Sequence, residues 1–427
     1  MPSTPRTEPT PQDPEPPRRF ARRALLTGGA AGLGAILGAG AALGAGSLRP
    51  APAAPGGAAA AGTEPSLGAG GLLPGFGGES LPCHGVHQAG IVTEPGAHIR
   101  FTAYRLRPET GRDALARMFR ILTGDIEDLT SGAGPLADPE PELAARPARL
   151  AITVGVGGEL VERVDPSRRP AWLGPLPPFS RDRLGEGYDG GDLLIAVQSD
   201  DLMPIAHAAR MIDRDLASFA EPLWTQQGFR TARGAEADGT TMRNLMGQVD
   251  GTANPAPVDD DFDSLVWLDE EAGWLSGGSA LVLRRIRMEL DTWDAVDRPG
   301  REQSVGRRLS DGAPLTGDAE HDEPDFEAKN GIGLTVIGPA AHIRRAHSAD
   351  PAERIFRRAV NYEHGGESGL LFACYQRDPL AQFVPIQQRL DEADLLNEWI
   401  THTGSAVFAM LPGFRPGGAL GETLLAS

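Results

Sequence analysis

The sequence predicts an α+β fold in which one order of secondary structure, β-α-β-β-α-β, occurs twice along the chain. Segments of alternating polar and apolar residues indicate strands, and segments with apolar residues three and four positions apart indicate helices. A glycine-rich turn at residues 244–255 lies between the two copies. The chain has 427 residues, of which 40% are hydrophobic, so each copy can bury a core.

The first copy of the pattern covers residues 98–226. The alternating segment HIRFTAYRL at 98–106 predicts a strand, and Leu115, Met118, Phe119 and Leu122 fall at helical spacing. Two further strands are predicted at 150–156 and 192–198, then a helix at 202–219 and a short strand at 221–226. The insert at 157–191 is rich in Pro, Gly and Arg and is predicted to be a long loop.

The second copy covers residues 281–410. It comprises predicted strands at 281–290, 333–337, 369–376 and 405–410, with helical regions at 291–308 and 383–400 and an acidic, exposed loop at 311–325. Two such units are typical of ferredoxin-like modules, each an antiparallel sheet with peripheral helices. We therefore predict an N-terminal module at 81–243 and a C-terminal module at 244–427.

The N-terminus has the composition of an export signal. A basic segment precedes an uncharged Gly- and Ala-rich stretch that ends at Arg49, and its sequence Arg22-Arg23-Ala24-Leu25-Leu26 resembles a twin-arginine signal. The alternative is a membrane anchor, which the low hydrophobicity disfavours. We predict a disordered segment with this signal at 1–61, a linker at 62–80, and a secreted or extracytoplasmic protein.

Charge and cysteine content exclude two classes of function. The net charge is −18 and Lys329 is the single lysine, which argues against a nucleic-acid partner because phosphate binding needs a positive surface. The two cysteines, Cys83 and Cys374, form no Cys-x-x-Cys motif, so a thiolate zinc site and covalent cofactor attachment are not expected. They could pair in an oxidising compartment, but the apolar surroundings of Cys374 favour a buried free thiol.

The turn NLMGQVDGTANP at 244–255 places one acid, Asp250, between Gly247 and Gly251. Glycine allows the backbone to approach a ligand closely or to adopt a positive φ. An Asp-Gly pair is also a common surface turn. The uncharged flanks favour a partly buried acid that handles protons, and a position between two modules suits a ligand site.

A second segment, GPAAHIRRAHSADPAERIFRRAVNY at 338–362, contains two histidines and an arginine pair. His342 follows an apolar stretch, so it is either a core residue or a ligand. His347 is its rival. Arg357 follows Ile355-Phe356 and lies either at a pocket wall or, with Arg358, on a solvated face.

These motifs together resemble the dye-decolourising peroxidases, a haem family whose distal motif is Gly-x-x-Asp-Gly. Here that motif is Gly247-Gln248-Val249-Asp250-Gly251, and the form of 244–255 is similar to the branch exported by the twin-arginine route. The resemblance extends from His84 to the C-terminus, with AAHIRRAH, IFRRAVNY and GLLFACYQRDP as its other specific segments. It implies paired ferredoxin-like modules, with one non-covalent haem b between the sheet and helices of the C-terminal module.

The resemblance implies a role for individual residues. His342 corresponds to the axial ligand of the haem iron, Asp250 to the distal acid and Arg357 to the distal arginine. Glu398 corresponds to the carboxylate that accepts a hydrogen bond from the other ring nitrogen of His342, with Asp394 as a rival. Further haem contacts are implied for Arg344, Gly251 and Thr252. The chain departs from the family pattern at Ala359-Val360, where Gly-Tyr is frequent, and at His347, where Asn is frequent.

The implied activity is reduction of hydrogen peroxide with oxidation of dyes, phenolics or another donor. Two alternatives remain: deferrochelatase-like release of iron from haem in iron uptake, and haem binding without catalysis. The expected partners are hydrogen peroxide and a reducing substrate, and no nucleic acid. Iron-uptake or copper proteins and a homo-oligomer are further candidates.

Overall fold

The computed structural model describes residues 76–426. The predicted export signal at 1–61 and the linker up to residue 75 lie outside the described residues. Between residues 76 and 426, no helix is long and apolar enough to cross a membrane.

The described part of the chain forms nine strands and nine α-helices. In chain order they are β1 (His98–Leu106), α1 (Arg112–Ser131), β2 (Ala151–Val156), α2 (Gly158–Val164), β3 (Leu193–Ser199), α3 (Leu202–Leu216), β4 (Ala220–Phe229), α4 (Phe262–Val266), β5 (Ser279–Met288), α5 (Leu290–Asp294), α6 (Arg298–Val305), α7 (His342–Ala346), β6 (Phe356–Arg357), β7 (Val360–His364), β8 (Glu367–Gln376), α8 (Phe383–Ala393), β9 (Ile400–Met410) and α9 (Glu422–Leu425). Short 3-10 helices lie at Phe76–Gly78, Pro141–Leu143, Pro166–Arg168, Glu270–Leu275, Pro351–Glu353 and Leu395–Glu398.

The strands form one sheet, which corrects the prediction of two. Their order is β5-β9-β2-β3-β1-β4-β7-β8-β6, and an additional β5–β8 pairing closes eight of them into a barrel-like ring. Every pairing is antiparallel, as predicted. Strands of the two modules join at β2–β9 and β4–β7, where pairing is short. Joining the modules in this way pairs strand edges that two separate sheets would leave open.

The predicted strands and helices of the first module are confirmed, whereas the second module differs from the prediction at 333–337, at β7 and at 383–400. Residues 333–337 form no strand, because Gly333 takes a φ of 83° in a turn that leaves Ile332 exposed. The strand that takes its place in the pattern of the second module is β7. The predicted helix at 383–400 ends at Ala393, since Asp394 is extended and caps the next 3-10 turn. In the first module, the predicted loop at 157–191 also contains α2.

Side chains alternate between the two faces of the barrel wall along 356–362, and this alternation positions the site. Phe356, Val360 and Tyr362 pack in the cluster that fills the barrel, together with residues from β1, β3, β5, β8 and β9. Arg357 and Ala359 therefore face the other side of the wall. The apolar faces of α1 and α3 cover the outside of the first module. Cys83 and Cys374 are buried free thiols, as expected for Cys374.

A pair of carboxyl groups lies between α1 and α3. Asp125 is buried, and its Oδ2 has no partner among the described atoms. Burial, together with the charge and hydrogen bond of Asp215, raises the pKa of Asp125 to about 7. Since this pKa is higher in the folded than in the unfolded protein, folding favours the protonated acid. Stability then decreases as pH rises from the unfolded pKa through the folded one.

We predict that Asp125→Asn raises the melting temperature clearly more at pH 8.5 than at pH 5, because the destabilisation by the acid grows between its unfolded and folded pKa. The amide is isosteric with the protonated acid and donates the same hydrogen bond to Asp215 without carrying a charge. Thermal unfolding of both proteins at the two pH values measures this. Asp113→Asn, an exposed change on the same helix, serves as control, and an equal pH response in both variants would contradict the assignment.

Candidate active site

The turn that carries Asp250 is held in one conformation by the backbone and by its neighbours. The Asn244 backbone N–H donates to the Gln248 carbonyl at 3.0 Å, and Gly247 takes a φ of 82° between them. The Asp250 amide donates to the Met242 carbonyl at 2.8 Å. Arg243 donates to the carbonyls of Gly247 and Leu309, which ties the turn to the next loop. The glycine is therefore needed for the left-handed conformation of this turn.

Asp250 and Arg357 lie side by side, as the resemblance predicts. Arg357 Nη1 is 3.2 Å from Asp250 Oδ1, and the Asn244 amide donates to the other carboxylate oxygen at 3.3 Å. The Asn254 side chain makes two hydrogen bonds to the Arg357 backbone. It accepts from the N–H at 2.7 Å and donates to the carbonyl at 3.1 Å. Both charged side chains are partly accessible, 19% for Asp250 and 24% for Arg357. The two groups are thus oriented by the protein and still open to a small reactant.

His342 begins α7, and its carboxylate partner is Asp394. The imidazole Nδ1 lies 2.6 Å from Asp394 Oδ2, while Asp394 Oδ1 accepts the Leu396 N–H at 3.0 Å. The assignment of this role to Glu398 is wrong. Glu398 is largely exposed and lies 3.8 Å from Arg181 instead. Because α8 ends at Ala393, the buried cap residue Asp394 rather than Glu398 faces the imidazole.

The electrostatics of His342 connect the two halves of the site. Burial acts to lower the pKa of His342, but the charge and hydrogen bond of Asp394 outweigh it and raise the pKa above its ordinary value. Asp250 raises this pKa further and Arg357 lowers it. The distal pair predicted by the resemblance therefore lies within electrostatic range of the imidazole.

The other predicted contact residues have protein partners here. Arg344 donates to the Phe326 carbonyl and pairs with Glu327 at 3.1 Å. Thr252 Oγ1 donates to Glu320 at 2.9 Å, and Gly251 has a φ of 147°. Their contacts with a cofactor remain predictions. His347, the rival ligand, is exposed and packs on the Phe326 ring.

Two parts of the site were not predicted from the sequence. Asn254 lies in the motif at 244–255, but its two hydrogen bonds to the Arg357 backbone were not predicted. Arg307 is buried near Arg357 and Glu320, and burial lowers its pKa. It donates to the carbonyls of Gly312 and Glu320. No local pattern distinguishes Arg307 from the surface arginines.

The residues present fit the haem that the resemblance implies. In the described part of the chain, His342 Nε2 has no hydrogen-bond partner, and the side chain is 31% exposed although Asp394 behind it is 1% exposed. An accessible imidazole nitrogen backed by a buried carboxylate is the arrangement of an axial iron ligand. Elsewhere in residues 76–426, no group of three or more His, Cys, Asp or Glu side chains could hold a bare metal ion.

Comparison with protein families gives matches over most of the chain. Residues 88–230 match the N-terminal domain of the Dyp-type peroxidases, and residues 241–415 match their C-terminal domain. A dye-decolorizing peroxidase of Thermobifida fusca is 39% identical over 336 residues, 75% of this chain and 78% of that protein. A deferrochelatase of Escherichia coli is 31% identical over 371 residues, 81% of this chain and 86% of that protein.

Solved structures agree with the fold described above. A DyP-type peroxidase from Cellulomonas bogoriensis is 50% identical, with a TM-score of 0.80 over 83% of this chain and all of that one. Ferric DtpA from Streptomyces lividans is 38% identical, with a TM-score of 0.79 over 82% of this chain and 98% of that one.

The corrected partner of His342 leads to a prediction about cofactor retention. We expect Asp394→Asn to weaken haem binding roughly 10–100-fold, because a neutral amide neither fixes the imidazole tautomer nor increases its donor strength. Transfer of haem to an excess of apomyoglobin, followed in the Soret band, measures the loss. Glu398→Gln is the matched control and should retain haem like the parent. Equal retention by the two variants would contradict the assignment of Asp394.

Proposed function

Since the chain belongs to the Dyp-type peroxidase family and is a haem-dependent peroxidase, we propose that Asp250 and Arg357 act on hydrogen peroxide and that His342 holds the haem iron. The observation that carries this proposal is the 3.2 Å contact between Arg357 and Asp250, within electrostatic range of the His342–Asp394 pair. We further propose that the haem lies between α7 and the outward face of β6–β8.

His342 and Asp394 prepare the proximal side. When bound, haem would supply a redox-active iron that reacts with peroxide. Asp394 accepts a hydrogen bond from the Nδ1–H of His342, so Nε2 would present its lone pair as the ligand atom. The carboxylate also increases the donor strength of the imidazole and prevents it from rotating.

Asp250 is the proton carrier on the distal side. Its carboxylate would take a proton from one oxygen of peroxide and return it to the other, which leaves as water when the O–O bond breaks. The remaining oxygen and the two oxidising equivalents would stay with the haem. The hydrogen bonds from Asn244 and Arg357 hold its two oxygens in place during both transfers. Arg357 provides a fixed positive charge where negative charge develops on the departing oxygen. Asn254 keeps the Arg357 backbone in position for this contact.

The oxidising equivalents stored by this reaction then oxidise a reducing substrate, for which we propose dyes, phenolics or another donor of similar chemistry. Release of iron from haem is the alternative suggested by the relatives named deferrochelatases, which are 31–32% identical to this chain. That reaction needs no peroxide and leaves protoporphyrin, which fluoresces. Incubation of the holoprotein without peroxide therefore distinguishes the two activities.

We predict that Asp250→Asn and Arg357→Gln each slow the reaction with peroxide while haem remains bound. Loss of the proton carrier should cost roughly 10²–10⁴-fold, and loss of the guanidinium roughly 10²–10³-fold. Stopped-flow measurement of the Soret change after mixing with one equivalent of hydrogen peroxide gives both rates.

Each matched control removes a surface charge of the same sign as the charge that the test variant removes. Asp263→Asn lies in the first turn of α4, and Arg298→Gln lies on α6 with its side chain 59% exposed. Both should react at the parent rate. Parent-like rates in Asp250→Asn or Arg357→Gln would refute the distal assignment. Protoporphyrin formation by the parent without peroxide would favour the alternative activity.

We also propose that the protein is exported by the twin-arginine route. The support is the basic segment with Arg22-Arg23 ahead of an uncharged Gly- and Ala-rich stretch. A folded protein with its cofactor in place is the cargo that such a route carries.

Replacement of Arg22 and Arg23 together by lysine should retain the haem-loaded protein in the cytoplasm. The control is replacement of a nearby arginine pair, Arg18 and Arg19, by lysine. It also conserves the positive charge and should not affect export. Cell fractionation followed by immunoblotting measures both variants. Equal export of the two would argue against this route.

A further inference from the structure

A small, narrow cavity that is partly open to solvent lies at one end of the barrel, on the opposite side of the wall from Asp250 and Arg357. Its lining includes two arginines, Arg230 and Arg358, with Gln198, Tyr375 and the backbone at Gly90 and Gly96. The space open to the centre of a water-sized sphere is about 10 Å³. That volume accommodates about one water-sized particle, so sulfate, phosphate and organic anions are too large.

The two arginines are not matched by carboxylates. Within residues 76–426, neither Arg230 nor Arg358 forms an ion pair, and Arg358 donates only to the Thr93 carbonyl. Burial lowers the pKa of both, and the charge of Arg230 lowers that of Arg358 further, to about 10. A guanidinium keeps its charge in such surroundings. Asp250 acts on Arg230 and Glu94 acts on Arg358 at longer range, but these carboxylates are already in contact with Arg357 and Arg149 respectively.

A third group indicates what the cavity accepts. The Gln198 side chain is 5% exposed, and its Nε2 has no hydrogen-bond partner among the described atoms. A buried amide without a partner costs about 1–3 kcal/mol, and two neighbouring unpaired guanidinium groups add repulsion. A neutral water would satisfy the amide but leave both positive charges uncompensated. An anion satisfies all three groups.

We propose that this cavity is a binding site for a monatomic anion, a halide such as chloride, held between Arg230 and Arg358 with Gln198 as an additional donor. The site is separate from the haem contacts of His342, and the proposal does not depend on the peroxide reaction.

Bromide tests the site, because it replaces chloride and scatters anomalously. Crystals of the holoprotein soaked in sodium bromide should give an anomalous peak in the cavity, in contact with both guanidinium groups. In solution, bromide should raise the melting temperature in a saturable manner, by roughly 2–4 °C above sodium gluconate of equal ionic strength. Gluconate is the reference because it cannot enter.

Variants separate specific binding from a general salt effect. Arg230→Gln should abolish the bromide-dependent shift, and Gln198→Leu should reduce it if Arg230→Gln does not fold. Arg210→Gln, on the exposed face of α3, should keep the full shift. Three outcomes would overturn the proposal. They are density in the cavity without an anomalous signal, bromide found only elsewhere in the crystal, and equal melting-temperature shifts in all variants.

Discussion

The alternation of side chains along residues 356–362 is the constraint on which the functional architecture depends. Successive residues of an extended chain point to opposite faces, so adjacent arginines at 357 and 358 are separated by the barrel wall. Arg357 meets Asp250 on the outside, and Arg358 enters the barrel beside Phe356 and Tyr375. Pairing of β6 and β7 with β8 fixes the register. A shift by one residue would exchange the two arginines and remove the distal pair.

The site is assembled from elements far apart in sequence, and each side chain that we propose to act in catalysis has a second residue that holds it. Asn254 fixes the backbone of Arg357, Asn244 orients Asp250, and Asp394 orients His342. Asp394 performs two tasks, because one oxygen caps a 3-10 turn while the other accepts from the imidazole. The turn thereby fixes the carboxylate before any cofactor is bound, which is the preorganisation that an axial ligand needs.

Sequence reasoning succeeded where the signal is local and failed where it is not. The turn around Asp250 was evident because two glycines flank an acid within five residues, and His342 was evident from its motif. The resemblance assigned the carboxylate role to Glu398, with Asp394 as a rival, but the helix ends at Ala393 and the capping residue Asp394 contacts the imidazole. Closure of the sheet depends on pairing between β2 and β9, about 250 residues apart, for which no local pattern exists. Gly331 and Gly333 also favoured a turn where a strand was predicted.

The distribution of arginine explains how an acidic protein builds a positively charged interior. The chain carries −18 overall and a single lysine, yet Arg149, Arg284 and Arg285 are buried. Arginine suits such positions because its guanidinium stays charged on burial and binds several acceptors at once. Each of the three is compensated by carboxylates, including Asp200, Asp182 and Glu367 respectively. Arg230 and Arg358 are half-buried and lack such a partner among the described residues. Their unbalanced charge is therefore a local property of the cavity between them, and an anion is the compensation that the fold itself does not supply.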